Sequence, residues 1–344
     1  MPTDCLNFCL RGFVVACALA LTACGGGTSN TPDQSGSSGA NSISGVLCSY
    51  SNNGTQNLVY SNSTPGSGTP STVNENLPFN VSWSCSGSQR SFTGNGVPNH
   101  EVTGGDFATK VSAQTISGAM ALAPVSNTTS TPVKLPGYAL NSVKLDPGTA
   151  GTCSNTASST SSGCNYATAI GTWRMEALGD PSVSPWRFDF GTDTSNAHVQ
   201  PGVIGGIYHY HGMPTQLISK LNSASATSMT LVAWAADGFP IYANYGYSTA
   251  GSASSALKEM KGSYRVKASP DAGRPATSSF PMGHFVQDWE YAVGSGDLDE
   301  CNGRTGVTPE FPQGIYHYYI TKSYPFIQRC VKGTPATWAT AMMP

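Results

Sequence analysis

Apolar and polar residues alternate with a period of two through most of the chain beyond residue 45, the pattern of half-buried strands. In an N-terminal β region, residues 45–94, the runs Asn57-Leu58-Val59-Tyr60 and Phe79-Asn80-Val81-Ser82-Trp83 predict two or three strands around a turn-rich stretch at 61–76. Later runs at 186–190, 207–211, 229–235 and 315–320, punctuated by Pro and Gly, predict further strands in a main domain covering residues 95–344. Helical spacing is confined to two short segments. One is Thr215–Leu221 behind Pro214, with Leu217, Ile218 and Leu221 on one side. The other is 254–260, with Lys258 and Lys261 near the end where the helix macrodipole favours cations. The expected architecture is mostly β with short helices and long loops, in one sandwich-like main domain. Apart from the two Tyr-His copies described below, no repeat period is visible.

Glycine (39) and proline (23) suit many turns. Only 10% of residues are charged and the formal net charge is −2, so no basic stripe invites nucleic acid. Neither a P-loop nor a dinucleotide fingerprint is present, which excludes nucleotide chemistry. Arg11, the apolar run 12–21 and the small residues up to Ala23 predict a secretory signal over residues 1–23, its apolar run too short to span a bilayer. Leu21-Thr22-Ala23-Cys24 resembles a bacterial lipobox, which implies cleavage before Cys24, lipidation of that cysteine and anchoring to a membrane. The expected location is that of an exported bacterial membrane lipoprotein, on the periplasmic side or the cell surface. Residues 24–44, mostly Gly, Ser, Asn and Thr, read as a flexible tether. Of ten cysteines, Cys5, Cys9 and Cys17 fall in the signal and Cys24 at the anchor, which leaves six in an oxidising compartment. Proximity along the chain favours the disulfides Cys48–Cys85 and Cys153–Cys164, with Cys301–Cys330 by subtraction.

The strand pattern also carries the candidate chemistry. In Gly206-Ile207-Tyr208-His209-Tyr210-His211-Gly212, side chains two apart share a face, so His209 and His211 emerge together. Two imidazoles so placed can hold one metal ion; the alternative is a pair of buried, hydrogen-bonded strand residues. A near copy, Gly314-Ile315-Tyr316-His317-Tyr318-Tyr319, has tyrosine in place of the second histidine. His317 completes a three-histidine set if the two Tyr-His strands are neighbours. His198 in Asn196-Ala197-His198-Val199-Gln200-Pro201 and His100 behind Pro98-Asn99 are loop histidines that a returning chain brings to the same site. Asp237, in Ala236-Asp237-Gly238, caps a turn or supplies a further ligand. Asp297, Asp299, Glu300 and Asn302 form an oxygen-rich cluster, a small calcium site or a solvated loop. Asp237, Glu300 and Glu310 are the weaker, catalytic candidates, Glu310 as a general base near a metal-bound water, and Arg304 is a candidate partner to one of these acids. Ser248 lacks the second glycine of a nucleophile elbow, and Ser255-Ala256-Leu257-Lys258 lies in a serine-rich stretch, so neither marks a serine nucleophile. Imidazole suits zinc and copper alike; export and the tyrosine setting favour copper.

From Gly94 to Gly333 the chain resembles the YHYH-domain family of bacterial exported proteins. The stretches that carry the resemblance are Gly94-Asn95-Gly96-Val97-Pro98-Asn99-His100, Leu140-Asn141-Ser142-Val143 with Leu145-Asp146-Pro147-Gly148-Thr149-Ala150, and 196–201. They continue with the titular 206–214 element, Ala236-Asp237-Gly238-Phe239-Pro240-Ile241-Tyr242, 296–304 and Thr308-Pro309-Glu310-Phe311-Pro312. The resemblance implies a secreted or lipid-anchored domain with a metal site. His284 lies outside these stretches and is assigned no role. Three function classes follow: a metal carrier or sensor, a metal-dependent enzyme (hydrolase or copper oxidase), and a surface-binding module with an aromatic platform at Trp289 and Tyr291.

Overall fold

Two sheets carry the period-two pattern. The computed structural model describes residues 48–63, 70–149, 151–165, 169–179, 191–202, 205–222, 225 and 227–340. The predicted signal, Cys24, the tether and the predicted strand at 186–190 lie outside the described residues. The first sheet contains β1 (Ser49–Asn62), β2 (Ser71–Ser86), β3 (Gln89–Gly94), β4 (Asp106–Phe107) and β5 (Ile116–Ala121), in the order β4-β1-β2-β3-β5. β1 and β2 are much longer than their apolar runs predict, and β2 begins inside the stretch expected to be a turn. Polar rungs extend the ladder: the Asn57 amide donates to Asn74 at 2.8 Å and to Asn76 at 3.2 Å.

The second sheet contains β6 (Gly137–Ala139), β7 (Lys144–Leu145), β8 (Ala197–Gly202), β9 (Gly205–Tyr210), β10 (Leu231–Ala235), β11 (Pro240–Tyr242), β12 (Gly303–Gly306) and β13 (Ile315–Tyr319). Their order is β8-β9-β7-β6-β10-β11-β13-β12. Alternation sends Ala139, Ala233, Ile241 and Tyr318 to one apolar cluster, and Tyr138, Trp234, Tyr242 and Tyr319 to another, so the central strands are buried on both faces. The second cluster also takes in Val81, Trp83, Phe92 and Met120 from the first sheet. There the Trp83 indole N–H donates to Leu140 O at 3.1 Å, and the Arg90 guanidinium lies 3.3 Å over the Trp234 ring. The sheets therefore pack in a sandwich-like way, with each large buried side chain contributing about 1.5–3 kcal/mol.

α1 (Thr215–Leu221) forms as predicted and buries Leu217. The predicted helix at 254–260 does not form. The Ser255 hydroxyl donates to Ser252 O at 2.8 Å, a local turn that competes with helix, and Leu257–Glu259 pairs as a strand with Tyr245–Tyr247. Disulfides join Cys48 to Cys85, Cys153 to Cys164 and Cys301 to Cys330.

The repeat seen as two Tyr-His copies extends across the whole second sheet. Strands β6 to β9 pair as β8-β9-β7-β6, and β10 to β13 pair as β12-β13-β11-β10, with β6 against β10 at the junction. Each half is an antiparallel hairpin whose second strand pairs in parallel with the last strand of a second hairpin. The first hairpins close alike: Val143 N–H donates to Asn141 Oδ1 and Phe239 N–H to Asp237 Oδ1, both at 3.3 Å. The second hairpins open alike. Asp193 accepts N–H bonds from Ser195 and Ala197 at 2.8 and 3.0 Å, and Asp299 from Cys301 and Gly303 at 2.9 and 3.0 Å. Asn196 (φ 53°) and Asn302 (φ 60°) both take the left-handed conformation that Asn tolerates. Tyr208 then donates to Asp193, and Tyr316 to Asp299.

Candidate metal centre

The repeat places three histidines at one point of the first half. His198 on β8 stands opposite His209 on β9, and His209 stands opposite Lys144 on β7. Ala197, Val199, Tyr208, Tyr210 and Leu145 point to the other face, into the apolar core. His211, just past β9, is fixed by its N–H donating to Asn196 O at 2.8 Å. The ring centroids of His198, His209 and His211 are 4.5, 4.8 and 4.6 Å apart, and one nitrogen from each lies within 4.8 Å of the others. Among the described residues no other group of three or more His, Cys, Asp or Glu side chains converges in this way.

The imidazoles are prepared for a cation. His209 Nδ1 donates to Ile207 O at 3.0 Å, which leaves the lone pair on Nε2. That Nε2 lies 3.1 Å from His211 Nε2. Without a cation between them, one of the two must carry a proton for the contact to be attractive; a metal takes that proton's place and uses both lone pairs. Two nitrogens bound to one ion at 2.0–2.1 Å stand about 3.3 Å apart in a tetrahedron and about 2.9 Å at a right angle. The observed spacing lies between the two. Burial pushes all three pKa values down, His211 to about 4, and the Lys144 charge adds to this at each ring. Neutral imidazole, the ligating form, is the state at neutral pH. His209 and His211 are buried and His198 is partly exposed, so the centre opens to solvent on the side of His198 and the edge strand β8.

The other predicted ligands lie elsewhere. His100 is on the opposite face, its Nδ1 donating to Glu101 O at 2.8 Å and its Nε2 bonded to the Tyr210 hydroxyl at 2.6 Å. Asn141 donates to the same hydroxyl, so the phenol's own proton goes to His100 and both ring nitrogens are engaged. His317 fails to join because β13 and β9 are not neighbours: β7, β6, β10 and β11 stand between them, about 24 Å of sheet. Its Nδ1 donates to Ile315 O at 2.9 Å and its Nε2 accepts from the Tyr319 hydroxyl at 2.9 Å.

The carboxylates are likewise committed to the protein. Asp237 accepts from the Tyr318 hydroxyl at 2.6 Å and from Gly333 N–H at 2.8 Å. Glu300 pairs with Lys332, and Glu310 accepts from the Tyr242 hydroxyl at 2.7 Å. The calcium cluster does not assemble: Asp297 pairs with Lys258, Asp299 accepts from Tyr316 at 2.8 Å, and the Asn302 amide donates to Tyr319 O at 2.8 Å. Arg304 reaches Tyr247 O at 2.6 Å and the Tyr319 hydroxyl at 3.3 Å rather than an acid. Trp289 is no exposed platform, since it is buried and stacked on Tyr324 at 3.9 Å. His284 is buried against Phe280 and Phe285.

Sequence reasoning missed Lys144, which sits between two stretches noted for other reasons. It pairs with Asp146 at 3.0 Å, and its side chain is 4% exposed. The available signal was a lysine set between Val143 and Leu145 in a chain with few charges. The YHYH protein family matches this chain over residues 117–333, which spans both halves of the second sheet. No curated protein and no solved structure matches it.

Proposed function

The chain belongs to the YHYH protein family, and from the convergence of its three imidazoles we propose that it is an exported, lipid-anchored protein that binds a transition metal. His198, His209 and His211 hold the ion, with copper or zinc the fitting choices for an all-imidazole set. The observation that carries this reading is the pair of Nε2 atoms 3.1 Å apart with a third ring beside them. Localisation rests on the sequence of residues 1–24, whose apolar run and lipobox-like end fit a bacterial export signal with an anchor at Cys24. A carrier or sensor is favoured over an enzyme, because Asp237, Glu300 and Glu310 each serve protein donors away from the triad.

Metal analysis of the purified full chain tests the proposal. One copper or zinc per chain is expected, with loss in the His209→Ala/His211→Ala double variant and retention in His317→Ala. Equal metal in wild type and double variant, or no stoichiometric metal in wild type, sinks the reading.

A further inference from the structure

Lys144 is a buried ammonium with more hydrogen-bonding capacity than its surroundings use. It stands opposite His209 in the parallel pair of β7 with β9, so it projects from the same face as the triad. A lysine carries three N–H donors. Asp146 Oδ2 at 3.0 Å takes one, and no second acceptor for Lys144 Nζ is present among the described residues. A side chain this buried is normally satisfied. An acceptor beyond those that the described residues supply belongs beside these histidines.

The repeat gives a second, independent pointer. Leu145 and Ile241 occupy equivalent places, each paired with the second tyrosine of its Tyr-His strand, which puts Pro240 where Lys144 stands. The half with three imidazoles carries the ammonium; the half without them carries a residue that donates nothing. The charge balance points the same way. Three neutral imidazoles leave a divalent ion uncompensated, and the nearby charges already cancel in pairs, Lys144 with Asp146 and Arg329 with Glu176. The ligand that best completes such a centre is itself an anion.

We propose that Lys144 is the anion-recognition residue of the metal centre, donating to a small carboxylate or oxyanion whose oxygen occupies the coordination position left open by His198, His209 and His211. This rests on the metal reading above and names the class of small molecule that the loaded site takes. The ligand enters on the partly exposed His198 side. No bond in it is made or broken by this step: an oxygen lone pair goes to the metal, and the ammonium hydrogen-bonds a second oxygen.

The test uses the full chain loaded with cobalt(II), whose visible absorption reports coordination, titrated with sodium formate. Wild type is expected to bind one cobalt and to change its spectrum saturably with formate. Lys144→Met is expected to keep one cobalt per chain, which also reports that the site is folded, and to bind formate about 10- to 100-fold more weakly, the value of a charge-assisted hydrogen bond. Lys144→Arg is expected to hold the formate affinity within a few-fold. Cobalt bound with no response to formate overturns this proposal alone, as does an unchanged formate affinity in Lys144→Met or loss of cobalt from that variant. Failure of wild type to take cobalt overturns the metal reading as well.

Discussion

The two halves of the second sheet are built on one plan and differ where their histidines look. In both, the Tyr-His histidine spends Nδ1 on the carbonyl two residues earlier, at 3.0 Å for His209 and 2.9 Å for His317. In both, its Nε2 meets the residue two places later, His211 at 3.1 Å and Tyr319 at 2.9 Å. The third corner is His198 in one half and Arg304 in the other, each opposite the histidine across its hairpin. A phenol gives its proton to Nε2 and closes the second site, while the Arg304 guanidinium, 3.3 Å from that phenol oxygen, supplies a fixed cation. In the first half an imidazole, His211, stands where the second half has its phenol, so two Nε2 atoms face each other at 3.1 Å and offer their lone pairs to one cation. The scaffold alone therefore does not make a metal centre. On the reading proposed above, the side chains at 198 and 211 make the largest difference between the halves, and Lys144 in place of Pro240 adds to it.

The strongest way to break this comparison is to give the first half the second half's chemistry. His211→Tyr places a phenol against His209 Nε2 on a backbone whose N–H is held the same way, by Asn196 O at 2.8 Å as Tyr319 is by Asn302 O at 2.9 Å. Loss of an outer hydrogen bond alone typically costs 10–100-fold in metal affinity, so loss of a ligand should weaken binding by more than about 100-fold. Calorimetric titration checks this. Binding within a few-fold of wild type would show that His211 is not a ligand.

The reverse exchange has a smaller effect. Arg304→His with Tyr319→His puts three imidazoles at the second site, and a second, weaker metal per chain is expected by the same titration. Tyr319→His alone is expected to add none, because the guanidinium still fills the third corner. A stoichiometry that stays at one in the double variant would mean that more than these side chains separates the halves, with Pro240 and Tyr242 in place of Lys144 and Asp146 the first suspects.

The period-two alternation made the strands and the His209/His211 pair legible, because side-chain direction in a strand follows from sequence alone. His198 was legible only as a histidine close in sequence; its place opposite His209 depends on the register of the β8–β9 hairpin. His317 was misplaced for a topological reason. Similar sequences suggested adjacent strands, but the duplication puts equivalent strands symmetrically about the β6–β10 junction, far from each other. The full repeat was hidden because its halves share hydrogen-bonding roles more than residues: Asn141 matches Asp237, and Ser142 matches Gly238, with φ of 66° and 94°. The helix expected at 254–260 failed through serine turn chemistry and strand pairing, which apolar spacing does not report.

The smallest effect separates the histidines as titrating groups. Burial, the largest cause, holds His317 at about 4, well below the ordinary histidine value of 6.5. Between these values the unfolded chain binds a proton that the folded chain refuses, so this histidine makes stability fall as pH drops from about 6.5 to 4. Asp193 opposes that trend, since burial raises its carboxyl to about 6, but it is present in any His317 variant and cancels in the difference. His317→Gln should therefore flatten the stability–pH slope of metal-free protein in that window by about one proton, or about 1.4 kcal/mol per pH unit. Urea unfolding at half-unit pH steps measures it. The same slope should persist in metal-loaded protein if His317 has no part in the centre. A metal-dependent change in the His317 contribution would instead couple the two halves and undo the separation drawn between them.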